Sequence, residues 1–156
     1  MKAHVIVASN RASAGVYEDT AGPVLVDFVD ELGFEVGPAS VVPDGPDVAA
    51  AISAAVAADA HLVLTTGGTG ITPTDLTPEV TRPLLDREIP GIVEALRAAG
   101  IAKGVPTAML SRGVAGLIGT CLVINLPGSR GAVRDAVEVL RPVIEHAVEQ
   151  AAGSDH

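Results

Sequence analysis

The residues most able to do chemistry lie where apolar runs give way to glycine. The segment Thr65-Thr66-Gly67-Gly68-Thr69-Gly70 is the densest of these places. Glycines let backbone N–H groups turn toward an anion and let a phosphate approach without a Cβ in the way, and the threonine hydroxyls add donors. A tight strand-to-loop turn is the simpler alternative, but it needs less glycine than this, which favours a ligand loop. The segment is not a Walker A loop, because Ile71 and Thr72 stand where Lys and Ser/Thr are required. Nor is it the dinucleotide fingerprint, whose third glycine would fall at Pro73.

Asp75 follows this loop closely and precedes a helix start, Thr77-Pro78-Glu79, in which Thr77 is the expected N-cap. A carboxylate there either ligates a Mg²⁺ that bridges phosphate oxygens or serves as a turn and capping aspartate. Glu79 reads foremost as a first-turn acid facing the helix dipole. Asp44, in Pro43-Asp44-Gly45-Pro46, taken alone is a turn aspartate. It follows a predicted strand, however, so it shares a sheet edge with Asp75, and two carboxylates beside a phosphate loop suit a divalent ion.

Asn125-Leu126-Pro127-Gly128-Ser129 is a second strand–turn–helix junction, offering free N–H groups and a positive dipole end. Ser129 fits an N-cap there as well as a ligand contact, and Arg130 fits a solvated helix start. Leu110-Ser111-Arg112-Gly113 and Ser9-Asn10-Arg11 each place a serine and an arginine just after a predicted strand. Arginine grips phosphate with two parallel hydrogen bonds, but either side chain could equally be a surface charge. His4, His61, His146 and His156 share no metal-ligand spacing. Cys121 lies inside an apolar run and reads as packed rather than reactive.

These residues need a scaffold, and the hydrophobic pattern supplies one. Ala3–Ser9, Glu35–Val42 and His61–Thr66 are predicted strands. Between them fall a helix with Pro23 near its start and Gly33 as its stop, and an alanine-rich helix over Asp47–Ala58. This β-α-β-α-β order implies parallel strands with right-handed crossovers, and such a sheet binds ligands beyond the carboxyl ends of its strands. Asn10–Asp19 reads as a loop. A helix over Pro90–Ala99 ending at Gly100, strands over Val105–Ser111 and Cys121–Leu126, and a long helix over Arg130–Ala151 complete the pattern. Pro142 should bend or divide that last helix. Residues 1–152 are expected to form one domain and 153–156 a flexible tail.

Composition narrows the partners. The 156-residue chain is 48% hydrophobic and carries a net charge of −9 with 2% aromatic residues and no Trp. It therefore lacks both the basic surface that nucleic acid requires and the aromatic platform on which single strands stack. An anionic ligand would need local positive potential from helix N-termini, backbone amides, a divalent cation and a few arginines. A single cysteine permits no intrachain disulfide and, with no signal-peptide pattern and no window of membrane-spanning length, leads to a cytoplasmic expectation.

The motifs, in order, are Thr65–Gly70, Asp75-x-Thr77-Pro78-Glu79, Ile89-Pro90-Gly91, Leu110-Ser111-Arg112-Gly113 and Asn125–Ser129. This set resembles the molybdopterin-binding family of molybdenum cofactor biosynthesis and is most similar to the Mog-type molybdopterin adenylyltransferases of actinobacteria. The resemblance runs from Val5 to about Ala151. It implies a three-layer α/β sandwich with a mostly parallel central sheet and helices on both faces, assembled as a homotrimer. It also implies adenylylation of molybdopterin by Mg-ATP, with release of pyrophosphate and hand-over to a molybdenum-insertion protein. On motif position, Asp75 and Asp44 match the two acidic, metal-holding catalytic positions. Gly67–Gly70 would bind pterin or nucleotide phosphates, and Ser111 and Pro127–Ser129 would line the pocket. Many members carry Arg just before the aspartate equivalent to Asp75; this chain has Thr74, with Arg82 or Arg112 as candidate replacements. A non-catalytic molybdopterin-binding scaffold trimer is the second reading, and an unrelated nucleotide hydrolase a third.

Overall fold

The computed structural model describes residues 1–154. The central strands are β1 (Lys2–Ala8), β4 (Leu62–Thr66) and β7 (Cys121–Leu126). They pair in parallel, with Val5 opposite Leu64 and Leu64 opposite Ile124. Two short strands, β2 (Glu35–Val36) and β3 (Ser40–Val42), both run parallel to β1 along its outer edge. The single strand expected over Glu35–Val42 is thus broken, because Gly37-Pro38 interrupts it and proline has no N–H to give the ladder. The other edge is antiparallel: β6 (Ala115–Ile118) pairs with β7, and β5 (Arg87–Glu88) pairs with β6. The sheet order is β2-β1-β4-β7-β6-β5, with β3 also on β1.

Strand alternation divides the core into two layers. Ala3, Val5, Leu62, Leu64, Leu122 and Ile124 face one side. They pack on α2 (Ala21–Glu31), α5 (Pro90–Ala102), α6 (Arg130–Leu140) and α7 (Ile144–Ala151) through residues such as Phe28, Val93, Leu140 and Val148. Ile6, Ala8, Val63, Cys121 and Val123 face the other side, against Val48, Ile52 and Ala55 of α3 (Pro46–Ala57). Each fully buried Val, Leu or Ile contributes about 1.5–3 kcal/mol over its exposed state, which fixes the sheet register and hence the level at which strand ends emerge.

Several boundaries differ from the sequence reading for identifiable reasons. The loop after β1 begins with a short helix, α1 (Asn10–Ser13), capped by the Ser9 hydroxyl. Helix α5 runs through Gly100 and stops at Gly104, whose φ of +87° suits the turn. Gly100 serves packing instead: a Cβ there would lie 2.6 Å from the Ala108 Cβ. The strand expected over Val105–Ser111 is a 3-10 turn over Pro106–Leu110, held by that close approach to α5. Helix α4 (Thr77–Thr81) is preceded by Leu76 at its N-cap, so Thr77 opens the helix rather than capping it. The long C-terminal helix is divided at Pro142, as expected. Gly153 and Ser154 close α7 through backbone bonds to Gln150 and Glu149. The remainder of the expected tail, 155–156, lies outside the described residues.

Candidate active site

The chain leaves β1 toward the β2/β3 edge and returns to β4 on the other side, so the strand order reverses at the carboxyl ends of β1 and β4. That is where an open α/β sheet presents a crevice. Gly67 lies across it with φ +94°, and a Cβ at this position would stand 2.3 Å from the Ala8 carbonyl oxygen. The Gly67 N–H donates to the Leu126 carbonyl at 3.0 Å, and the Thr66 hydroxyl donates to the Pro127 carbonyl at 2.6 Å. The ends of β1, β4 and β7 are thereby drawn together under one glycine loop.

The two aspartates flank that loop. A Cβ on Gly68 would lie 2.3 Å from Asp44 Oδ2, and one on Gly70 would lie 2.7 Å from Asp75 Oδ2. Asp44 is heavily engaged: Oδ1 accepts from the Gly45 N–H and the Thr77 hydroxyl, and Oδ2 from the Leu76 N–H at 3.1 Å. Asp75 Oδ2 accepts from the Thr72 N–H at 2.9 Å and the Thr72 hydroxyl at 2.8 Å. Its Oδ1 accepts no hydrogen bond among the described residues. No group of three or more His, Cys, Asp or Glu among the described residues could hold a metal ion. A cation here would therefore rest on one or two carboxylates and the oxygens of a bound ligand, the mode Mg²⁺ favours with phosphates.

Beside the loop lies a cavity of about 590 Å³. Its polar end comprises Gly67–Gly70, Asp75, Ser111, Asn125 and Pro127–Ser129. Ser129 caps α6 by accepting from the Ala132 N–H at 3.2 Å, so the positive end of that helix borders the same space. The opposite wall is largely apolar, drawn from Val93 and Leu96 of α5, Leu110, and Ala132 and Ala136 of α6.

Other residues singled out in the sequence lie off the cavity wall. Arg112 donates to the Gly70 carbonyl at 2.7 Å and the Asp75 carbonyl at 2.8 Å, and pairs with the Glu79 carboxylate. It braces the loop that carries Asp75, and its guanidinium holds the Glu79 carboxyl below the usual carboxylate range. Thr66 and Thr77 are spent on Pro127 and Asp44. Ser9 caps α1, and Arg11 stacks over Tyr17 at 5.3 Å. Thr74 is exposed and off the cavity wall, and neither Arg82, paired with Glu88, nor Arg112 lines the cavity.

The apolar wall and the two charged lining residues of α5 and α6 were missed. Arg97 and Asp135 each place a charge on the cavity-facing stripe of a helix, Arg97 between Val93 and Gly100 and Asp135 between Ala132 and Ala136. A charge at an apolar-stripe position was the available signal. Cys121 is packed as expected, and burial pushes its thiol up to about 11.

Asn125 ties the floor of the cavity to β4, to the residue entering β6 and to α4. Its Oδ1 accepts from the Val114 N–H at 3.1 Å, and its Nδ2 donates to the hydroxyls of Thr65 at 2.9 Å and Thr81 at 3.2 Å. Asn125→Leu would orphan the buried Val114 donor and is expected to cost about 2–3 kcal/mol, lowering the melting midpoint by about 5–10 °C in calorimetry. A midpoint unchanged within a degree or so would contradict this role.

The comparisons with known proteins come to bear on this geometry. A family model described as a probable molybdopterin binding domain matches residues 4–146. The chain is 37% identical over 153 residues to a molybdenum cofactor biosynthesis bifunctional protein of Chlorobaculum tepidum, covering 97% of this chain and 49% of that one. It is 37% identical to a molybdopterin adenylyltransferase of Helicobacter pylori strain J99, covering 96% of this chain and 87% of that one. The solved structure of the molybdopterin biosynthesis Mog protein from Mycobacterium ulcerans superposes with a TM-score of 0.91 at 48% identity, over 96% of this chain and 98% of that one. The chain spans about half the length of the first curated relatives it matches.

Proposed function

The chain belongs to the family of molybdopterin-binding domains, and from that premise we propose that it is a molybdopterin adenylyltransferase. An oxygen of the molybdopterin phosphate attacks the α-phosphorus of ATP and the bond to the bridging oxygen breaks. AMP stays on the pterin phosphate and pyrophosphate leaves. The observation that carries this reading is the cavity at the strand ends, where a glycine loop, the N-terminus of α6 and Asp75 converge.

Little covalent chemistry falls to the protein in such a transfer, so positioning and charge neutralisation dominate. The N–H groups of Gly67–Gly70 and the first turn of α6 hold phosphate oxygens. The apolar wall takes a heterocycle and excludes water. Arg112 keeps the Asp75 loop in one geometry through its carbonyl contacts. Asp75, with Asp44 on the far side of Gly68, would hold Mg²⁺, and the donor set fits a hard cation because Asp75 Oδ1 is free and Asp44 Oδ2 accepts a single donor. When bound, Mg²⁺ would supply neutralisation of charge on the oxygens of the attacked α-phosphate and of the leaving pyrophosphate.

Residues 1–152 acting as one domain, homotrimeric assembly, hand-over to a molybdenum-insertion protein and a cytoplasmic location belong to the same proposal. The adenylyl-transfer part of it is supported by relatives named molybdopterin adenylyltransferases. No helix among the described residues is long and apolar enough to cross a membrane. The test is mass spectrometry of the pterin after incubation with the protein and Mg-ATP. Appearance of the adenylylated pterin is expected; molybdopterin bound but unmodified would point to the scaffold reading.

A further inference from the structure

The proposed reaction brings phosphate-bearing substrates to a chain of net charge −9, into a cavity whose wall carries Asp75 and Asp135, the latter paired with Lys103 at 2.9 Å. The arginines that spacing or the family resemblance nominated are committed elsewhere: Arg112 to Glu79 and two carbonyls, Arg82 to Glu88, Arg11 to Tyr17. Arg97 is the one cationic side chain among the described residues that line the cavity.

Its placement is built rather than incidental. Arg97 lies four residues after Val93 and three before Gly100, both on the cavity wall, so it shares their stripe of α5. Its Nη1 donates to the Ser111 carbonyl at 3.2 Å. The guanidinium has five N–H donors, so one anchored edge leaves the remainder for a ligand. The anchor is itself tied to the glycine loop: the Ser111 hydroxyl is 3.5 Å from the Thr69 hydroxyl, and the Arg112 N–H donates to the Thr69 carbonyl at 2.8 Å. Gly100 lets the 3-10 turn before Ser111 close on α5, which brings that carbonyl to Arg97.

We infer that Arg97 is an anion-binding residue of this cavity, its guanidinium held by the Ser111 carbonyl and presented to the oxygens of a substrate phosphate. Which phosphate it meets, that of the nucleotide or that of the pterin, rests on the adenylyl-transfer reading; the anion site itself does not.

The test compares wild type, Arg97→Gln and Arg97→Lys. Titration calorimetry with inorganic pyrophosphate reads the anion site, and steady-state kinetics reads KM for ATP and for molybdopterin separately. Arg97→Gln is expected to weaken pyrophosphate binding about 10- to 100-fold, the scale of charged hydrogen bonds. Arg97→Lys should recover part of that loss, because it keeps the charge and loses the fork. The melting midpoint should move by no more than about 2 °C, since only one half-buried contact is lost. A rise in KM for ATP alone assigns the nucleotide phosphate, and a rise for molybdopterin alone assigns the pterin phosphate. Arg97-dependent pyrophosphate binding in a protein that adenylylates nothing would leave the anion site standing and remove the reaction. Equal pyrophosphate affinity in wild type and Arg97→Gln, with both KM values unchanged, would overturn the inference, as would a wild-type chain that binds no pyrophosphate.

Discussion

Asp75→Asn is expected to lower the turnover of adenylyl transfer by about 10²- to 10³-fold while leaving molybdopterin affinity within about threefold of wild type. The contrast follows from how Asp75 is used. Its Oδ2 holds Thr72 through two hydrogen bonds, and its Oδ1 accepts none among the described residues. An asparagine can turn its amide oxygen toward Thr72 and its amide nitrogen toward the cavity, so the 72–75 loop survives while the charge and the free oxygen ligand are lost. Asp44→Asn behaves differently, because both oxygens of Asp44 accept backbone donors and an amide nitrogen can replace neither. That variant is expected to lose stability together with activity. Steady-state kinetics, ligand titration and melting of the two variants separate the roles; Asp75→Asn with wild-type turnover would remove Asp75 from the mechanism.

Gly67→Ala is expected to be the most disruptive single methyl in the chain, costing about 3–5 kcal/mol and abolishing ligand binding. Two penalties coincide there. The backbone has φ +94°, a region that L side chains rarely adopt, and the new Cβ would meet the Ala8 carbonyl oxygen at 2.3 Å. That carbonyl belongs to β1 and cannot swing aside as a flexible side chain would. Gly15→Ala is the control: φ is +74°, but nothing lies within 4 Å of its Cβ, so the cost should be about 1 kcal/mol. Urea unfolding of both variants makes the comparison, and equal midpoints would show that the close approach to Ala8 carries no weight.

The contrast between Gly67 and Gly100 shows what could be read from the residues and what could not. Gly67 sits in a run of glycines after an apolar, β-branched segment, and its use in the site was legible from that context alone. Gly100 follows a helical pattern and reads as a stop signal, yet the helix continues through it, and the glycine is there because Ala108 needs the space. That need is tertiary and leaves no local mark. Strands β1, β4 and β7 were legible because each is buried on both faces over most of its length and so is built mainly from apolar, often β-branched residues. The β5–β6 edge was not, since β5 is the two residues Arg87–Glu88 and its place depends on pairing with β6.

The site divides in the same way. Gly67–Gly70, Asp75, Asn125 and Pro127–Ser129 stand at or just beyond strand ends, where the sheet's polarity points to a ligand, and all of them line the cavity; Ser111 lines it too, but from the end of a 3-10 turn where a strand was expected. Ser9 and Arg11 also stand at a strand end, but the short helix α1 absorbs the serine as its cap and Tyr17 takes the arginine. Arg97 and Asp135 come from the middle of helices, so a search confined to strand ends passes over them. Arg112 was legible as a residue that matters, but its partners turned out to be the loop's own carbonyls and Glu79. An acidic chain thus spends one arginine on shaping the site and turns another into it.

The measurement that bears most directly on the account is pyrophosphate release by the purified protein with Mg-ATP, run with and without molybdopterin. Release that needs molybdopterin and Mg²⁺ together, and that collapses in Asp75→Asn, is the expected result. Tight molybdopterin binding with no pyrophosphate at any ATP concentration would contradict it and leave a pterin-binding module in its place.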